Sequence, residues 1–274
     1  YWRVRMNVAY FIYVGKYIEN DMFDVCIRSL QKQSECKIVV YTSQLENKTL
    51  LKSRGVDVID FPISDWNDRR MTCKVEKAFQ LVKDLELQEG DNVLSFDADL
   101  IFVKNPFDVF ERKSFDFLYT TRHFSSEFNP NGGVWGYTVN DSSKNFMEMY
   151  IDQINNPTWN PYVQFRTSHP HNNDLKNLDW WVDQDFLCVC DRLKKDINEG
   201  SLGFDVTLYD AKSKYNYIIR DGYVEAVSEI VNQNNYVLHL KGGTFSRWGN
   251  SDTDNKKGNE QSAYDIYFKD WLES

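Results

Sequence analysis

The stretch Val93-Leu94-Ser95-Phe96-Asp97-Ala98-Asp99-Leu100-Ile101-Phe102 is apolar on both sides of two closely spaced carboxylates. Its first half predicts a buried strand over residues 92–96, with Asp97 and Asp99 at the carboxyl end of that strand. Because residues i and i+2 of an extended chain point the same way, both acids are predicted to face one direction. Ligands of open α/β sheets lie beyond the carboxyl ends of the strands, so the pair is predicted to line a cleft.

Two carboxylates at the edge of a core repel each other unless a cation or protons compensate them. At about 4 Å, and with an effective dielectric constant near 20, that repulsion amounts to about 4 kcal/mol. A divalent cation that prefers oxygen ligands, Mn²⁺ or Mg²⁺, would remove it. From these residues alone, the alternative of a strand end with two solvated acids stays open.

Outward from this stretch, the first hundred residues alternate β-branched runs with helical patterns, which predicts a βαβ sheet. Strands are predicted at residues 8–14, 37–42, 56–61, 92–96, 115–121, 133–139, 217–219 and 237–240. Helices are predicted at residues 21–33, 71–87, 142–154, 182–193 and 263–272. Residues 156–180 are rich in aromatic side chains but show little periodicity, which predicts a functional loop or lid. No linker divides the chain, so a single domain over 1–274 is expected.

Composition excludes some functions. The chain has 274 residues and a formal charge of −9, which argues against a nucleic-acid partner held by phosphate contacts. It contains no apolar run near the roughly 20 residues of a membrane span, which predicts a soluble, cytoplasmic protein; a luminal location would require an anchor outside this sequence. The five cysteines show no CxxC spacing, which favours a reducing compartment over a disulfide or zinc framework.

Four segments, in order, resemble motifs of GT-A fold glycosyltransferases, especially the retaining glycogenin-like, lipopolysaccharide galactosyltransferase and galactosyl- and xylosyltransferase families. Asp97-Ala98-Asp99 followed by Asn105-Pro106-Phe107 resembles their "DAD…NP" run. Asn131-Gly132-Gly133-Val134 is similar to their "N-A/G-G" strand, and Asp183-Gln184-Asp185 to their "DQD" element. Val237-Leu238-His239-Leu240-Lys241-Gly242-Gly243 resembles the strand whose histidine binds the metal. These segments run from residue 92 to residue 243, about half of the chain.

The resemblance implies a Rossmann-like nucleotide-diphospho-sugar transferase fold, an α/β fold with a mixed sheet flanked by helices. It implies a nucleotide-binding half over about 1–104 and an acceptor and donor-sugar half over about 105–274. It also implies that Asp97, Asp99 and His239 hold Mn²⁺ or Mg²⁺. Without the resemblance, a lone histidine at the end of an apolar strand is more simply interpreted as a hydrogen-bonded residue of the core.

Several residues are implied as contacts of the sugar-nucleotide donor. The family's "KPW" segment is replaced here by Phe245-Ser246-Arg247-Trp248, so either Lys241 or Arg247 would supply the charge near the diphosphate. Lys74 and Lys77 lie one turn apart on a predicted helix where related enzymes carry a donor-contacting base, although two solvated lysines explain the pattern as simply. The predicted donor-binding set is Tyr13, Lys77, Asp97, Asn131, Gly132, Gly133, Asp185, Lys241, Gly242 and Arg247. For Tyr13, stacking on a nucleobase and ordinary packing both remain open.

The implied reaction is a retaining transfer of a sugar from a nucleoside diphosphate sugar, most commonly a UDP-sugar, to a hydroxyl of a glycan or protein. Asp183 or Gln184 is the expected catalytic residue, as a stabiliser of the sugar cation, an orienting group or a transient nucleophile. An inverting course would instead recruit Asp183 or Asp185 as a base.

Two other functions compete with glycosyl transfer. A haloacid-dehalogenase-like phosphohydrolase also uses a D-x-D motif, but that motif lies near the N-terminus and continues into Thr or Val rather than Leu100-Ile101. A catalytically silent sugar-binding module of the same fold is the other alternative, and the complete motif set argues against it.

Overall fold

The computed structural model describes residues 3–17, 19, 22–122, 129–168, 178–219 and 234–240. Its strands are β1 (Asn7–Ile12), β2 (Lys37–Thr42), β3 (Asp57–Asp60), β4 (Asn92–Phe96), β5 (Leu100–Phe102), β6 (Phe117–Thr121), β7 (Pro130–Thr138), β8 (Leu208–Asp210), β9 (Tyr217–Ile219) and β10 (Val237–Leu240). Its helices are α1 (Met22–Gln33), α2 (Leu45–Ser53), α3 (Ile63–Asp84), α4 (Asp108–Arg112), α5 (Asp141–Asn155), α6 (Asn160–Ser168), α7 (Leu178–Arg192) and α8 (Lys194–Asn198). None of these helices is both long enough and apolar enough to cross a bilayer.

The main sheet has seven strands in the order β3-β2-β1-β4-β7-β6-β8. Its first four strands are parallel, β7 runs antiparallel to β4 and β6, and β8 is parallel to β6. β1 and β4 are apolar and buried because helices cover both faces of the sheet. The α/β class and the mixed sheet flanked by helices are thereby confirmed.

Two hydrophobic cores form because successive residues of a strand point to opposite faces. Val8 and Tyr10 of β1 join one core, which α3, α5 and α7 cover. Ala9 and Phe11 join the other core, on the side of α1. The central strands are thus held rigidly, and the segments that leave their carboxyl ends are held with them.

A second sheet of three strands, in the order β5-β10-β9, lies at the end of β4. The chain leaves the main sheet at Phe96 and enters the small sheet at Leu100, so Asp97 and Asp99 lie in the connection between the two sheets. β10 runs antiparallel to β5, and this pairing sets His239 opposite Leu100.

The structure departs from the sequence predictions at several places. The interpretation of residues 156–180 as a loop is wrong over residues 160–168, where α6 buries Tyr162 and Phe165 in the core. Helix α2 was not predicted, since it buries only Asn47 and Leu51 and has a weak apolar stripe. Helix α3 is kinked at Arg69; the part after the kink corresponds to the helix predicted from residue 71, and the part before it was not predicted. The predicted helix at residues 263–272 lies outside the described residues.

Candidate active site

Asp97, Asp99 and His239 come together where the two sheets meet. Backbone hydrogen bonds hold all three: the amide of Asp97 donates to the carbonyl of Gly133 at 2.9 Å, and the amide of Leu240 donates to the carbonyl of Asp99 at 3.0 Å. One ligand atom from each of the three side chains lies within 4.8 Å of the others. We call these three residues the acidic triad. Strand pairing, rather than proximity in sequence, brings His239 to the two carboxylates.

The imidazole of His239 is fully buried, and its two ring nitrogens face different groups. Its Nδ1 lies 2.7 Å from Asn216 Oδ1. Its Nε2 lies 3.2 Å from Asp99 Oδ1 and 3.6 Å from Asp97 Oδ2, and has no hydrogen-bond partner among the described residues. A buried nitrogen without a partner, facing two carboxylates, is a donor set that fits a divalent cation. Asp97 is 33% exposed and Asp99 14%, so further ligands have access from the solvent side.

A buried lysine reaches the triad from α3. Lys74 Nζ lies 2.6 Å from Asp97 Oδ1 and 2.6 Å from the carbonyl oxygen of Gly132. Lys77, which the sequence analysis selected, instead donates to Gln80 Oε1 on its own helix at 2.9 Å. Lys74 shares a helix face with the buried Ala78, four residues on, whereas Lys77 shares the outer face with Gln80. The structure therefore places Lys74, and not Lys77, at the carboxylate pair.

The start of β7 passes between the triad and helix α7. A β-carbon on Gly133 would lie 2.4 Å from His239 Cε1, and one on Gly132 would lie 2.6 Å from Asp183 Oδ2. Both approaches are shorter than real contacts, so a β-carbon at either position would displace the group that it meets. Asn131 is almost fully buried, and its Oδ1 accepts hydrogen bonds from the Gly133 amide at 2.9 Å and from Asn216 Nδ2 at 3.0 Å. The two glycines thus bring the histidine and Asp183 against opposite sides of one strand.

Helix α7 buries the carboxylate of Asp183 and the amide of Gln184. The main-chain carbonyl of Asp183 accepts a hydrogen bond from the Tyr150 hydroxyl at 2.9 Å, which anchors this turn to α5. Gln184 Oε1 lies 3.4 Å from Arg122 Nη2, while Gln184 Nε2 has no hydrogen-bond partner among the residues described. A buried amide nitrogen without a hydrogen-bond partner destabilises the folded protein, because it has lost its hydration; a bound ligand with an acceptor would compensate for that loss.

Asp185 follows on the same helix, 3.8 Å from the Arg166 guanidinium of α6. Burial raises the pKa of its carboxyl, Arg166 opposes this effect, and the charge of Asp183 adds to it, so that the pKa is about 7. Asp185 therefore changes its charge near neutral pH, beside a site that already carries several carboxylates.

Tyr13, another predicted donor contact, has packing contacts of its own. The ring of Tyr13 stacks on Phe23 with centroids 4.1 Å apart, and its hydroxyl donates to the carbonyl of Lys16 at 2.9 Å. These contacts account for Tyr13 as a packing residue, and its stacking on a nucleobase stays a prediction. Lys241, Gly242 and Arg247 lie outside the described residues.

Asn216 is a site residue that the sequence analysis missed. It ends a short 3-10 turn, Ser213–Tyr215, and is fully buried against Thr120, Asn131 and His239. No motif surrounds it, and its three partners are separated from it by between 23 and 96 residues. Only the folded chain reveals these contacts.

Comparison with known proteins gave weak similarities. No protein-family model matches the chain, and no curated protein matches it. The crystal structure of the glycosyltransferase GlyE of Streptococcus pneumoniae TIGR4 is similar with 17% identity and a TM-score of 0.48, over 92% of this chain and 58% of that one. Its apo form is similar with 16% identity and a TM-score of 0.45, over 88% and 55% of the two chains. The chain thus spans little more than half the length of the GlyE structures.

A third similar structure is a glycosyltransferase involved in the glycosylation of the major capsid of PBCV-1. It shares 11% identity with this chain, with a TM-score of 0.43, and the match covers 85% of this chain and 93% of that one.

Proposed function

We propose that this protein is a metal-dependent, retaining glycosyltransferase that moves a sugar from a nucleoside diphosphate sugar, with a UDP-sugar as the expected donor, to a hydroxyl of a glycan or protein. The observation that carries the proposal is the acidic triad, in which a buried histidine nitrogen faces both carboxylates and has no hydrogen-bond partner among the described residues. The four ordered motifs of the sequence support it, since each motif that lies within the described residues contributes a side chain or a glycine to this one place.

Asp97, Asp99 and His239 would hold the cation. When bound, a divalent cation supplies a Lewis acid for the negative charge that grows on a leaving diphosphate. A set of two carboxylates and an imidazole favours Mn²⁺ over Mg²⁺, since imidazole nitrogen is a better ligand for transition metals.

The other residues of the site have separate tasks in this proposal. Lys74 adds a fixed positive charge beside Asp97 and orients that carboxylate. Gly132 and Gly133 let Asp183 and His239 approach the strand backbone closely, which holds both side chains at the site. Asp183, on the other side of Gly132, stabilises the positive charge that develops on the sugar ring. The nucleotide would lie on residues 1–104 and the acceptor on residues 105–274.

The test is donor hydrolysis with a panel of UDP- and GDP-sugars, in Mn²⁺ and then in chelator, with the anomer of the released sugar followed by NMR. We expect release from one donor with retained configuration, lost in chelator and reduced at least about 100-fold by Asp99→Asn. Asp205→Asn, at an exposed aspartate, is the matched control and should leave the rate unchanged.

Each contrary result overturns a different part of the proposal. Equal rates for the wild type and Asp99→Asn would contradict the metal role of the triad. An inverted anomer would contradict the retaining course. Neither turnover nor metal-dependent nucleotide binding with any donor would indicate a catalytically silent sugar-binding module.

A further inference from the structure

A chain of buried polar side chains lies directly behind the acidic triad. Asn216 Nδ2 donates to Thr120 Oγ1 at 2.9 Å and to Asn131 Oδ1 at 3.0 Å, and Asn216 Oδ1 lies 2.7 Å from His239 Nδ1. None of these four side chains is more than 1% exposed. Buried polar groups at such depth are costly unless every donor meets an acceptor, so the directions of these hydrogen bonds are determined by one another.

A backbone amide sets those directions. The N–H of Gly133 donates to Asn131 at 2.9 Å, so the Asn131 atom at that position is an acceptor oxygen. The Asn216 atom that faces the same oxygen must then be its amide nitrogen, which leaves the carbonyl oxygen of Asn216 facing His239. An oxygen at 2.7 Å from Nδ1 requires a proton on Nδ1. In the neutral ring, Nε2 consequently carries the lone pair.

We propose that Asn216 is a positioning residue that holds His239 in the tautomer with the proton on Nδ1, so that the Nε2 lone pair faces Asp97 and Asp99. The inference rests on the proposed function, which assigns a cation to Asp97, Asp99 and His239. The opposite tautomer would direct an N–H at the two carboxylates and form a hydrogen bond where the cation is bound. The same chain joins His239 to Asn131, the residue expected to contact the donor sugar.

The test measures Mn²⁺ affinity by electron paramagnetic resonance on the full chain, without any donor or acceptor. Asn216→Leu removes the acceptor while keeping the branched shape of the side chain, and we expect it to weaken Mn²⁺ binding by about 10- to 100-fold, the usual effect of losing a partner behind a metal-binding histidine. Asn216→Asp keeps an oxygen for Nδ1 but loses the hydrogen bonds that Asn216 Nδ2 donates to Thr120 and Asn131, so we expect it to bind Mn²⁺ more tightly than Asn216→Leu and more weakly than the wild type. A merely structural role for Asn216 would not produce this rescue.

A second readout reports the tautomer itself. The chain has four histidines, so ¹⁵N-histidine labelling yields few ring signals, and His239→Gln identifies the one that belongs to His239. We expect the metal-free wild type to show a protonated Nδ1 and an unprotonated Nε2 at His239, at a pH where the ring is neutral. Should Asn216→Leu fail to fold, this spectrum of the wild type still decides the proposal.

The outcomes separate the two proposals. Equal Mn²⁺ affinity of the wild type and Asn216→Leu, or a wild-type ring protonated on Nε2 alone, would overturn the role of Asn216 while leaving the metal site intact. A wild type that binds no Mn²⁺ would overturn the metal site and, with it, the proposed glycosyl transfer mechanism.

Discussion

Lys74 and Asp97 form an ion pair in which the lysine ammonium lies 2.6 Å from the carboxylate, with Lys74 only 8% exposed. The pair neutralises one of the two acids that stand side by side at the end of β4. Like charges in such a place destabilise the folded protein unless a cation compensates them. Lys74 therefore stabilises this connection by compensating the charge of Asp97.

Because of this contact, replacing Lys74 should change metal affinity and donor turnover in opposite directions. Lys74→Met removes a positive charge next to a metal-binding carboxylate, so Mn²⁺ should bind severalfold more tightly. Donor turnover should fall by at least about tenfold, because the charge that assists the leaving diphosphate is lost. Isothermal titration with Mn²⁺ and donor-hydrolysis rates measure the two effects.

The matched control for this experiment is Lys77→Met. Lys77 lies one helical turn further on, and its ammonium donates a hydrogen bond to Gln80. Both its Mn²⁺ affinity and its rate should equal those of the wild type. Equal losses of turnover in the two variants would contradict the assignment of Lys74 to the site.

Alanine at the two adjacent glycines should damage different functions. Gly133→Ala places a methyl group against the His239 ring and should weaken Mn²⁺ binding by at least about tenfold, as when a ligand's orientation is disturbed. Gly132→Ala meets Asp183 instead, so Mn²⁺ affinity should be kept while donor turnover falls. Titration of both variants with Mn²⁺, beside their hydrolysis rates and melting temperatures, measures this. The idea fails if both variants lose metal affinity to the same extent.

Asp183→Asn should lower kcat by about 100-fold, equivalent to about 2.7 kcal/mol, and change KM little. The reason is that its charge matters when the sugar becomes cationic rather than when the donor binds. Steady-state kinetics with the identified donor would separate the two constants. Asp191→Asn, two turns further along α7, is the control, because Asp191 contacts the Tyr119 hydroxyl rather than the glycine strand. A rise in KM alone would make Asp183 a binding residue.

Asp185 should make stability depend on pH. Its carboxyl has a pKa of about 7 in the folded protein against an ordinary value of 3.8, so between these values the folded state holds the extra proton. The free energy of unfolding should therefore fall as pH rises from about 4 to about 7, by about 1 kcal/mol per pH unit, and then level off.

Asp185→Asn should remove that fall, which urea denaturation at pH 5 and pH 8 would measure. The exposed Asp205→Asn should leave the difference between the two pH values unchanged. The same change between the two pH values in the wild type and in Asp185→Asn would show that Asp185 does not hold the extra proton.

Much of the fold was predictable because its elements carry strong local patterns. The strands Lys37–Thr42, Asn92–Phe96, Tyr217–Ile219 and Val237–Leu240 match the predicted bounds. Each is a short apolar or β-branched run that a buried strand requires whatever its neighbours are. The segment at α6 was misjudged because its helix depends on tertiary contacts of Tyr162 and Phe165 rather than on an amphipathic repeat.

The sequence by itself determined the α/β class, the position of Asp97 and Asp99 at the end of a buried strand, and the motifs that point to His239 and Asp183. Tertiary structure alone decided which lysine reaches Asp97 and that Asn216 stands behind His239. The physical reason is that helical phase and strand pairing join residues far apart in the chain: β5 and β10 pair across more than 130 residues. The local sequence pattern predicts which residues are buried. Which atoms each buried group contacts depends on how the strands and helices pack together.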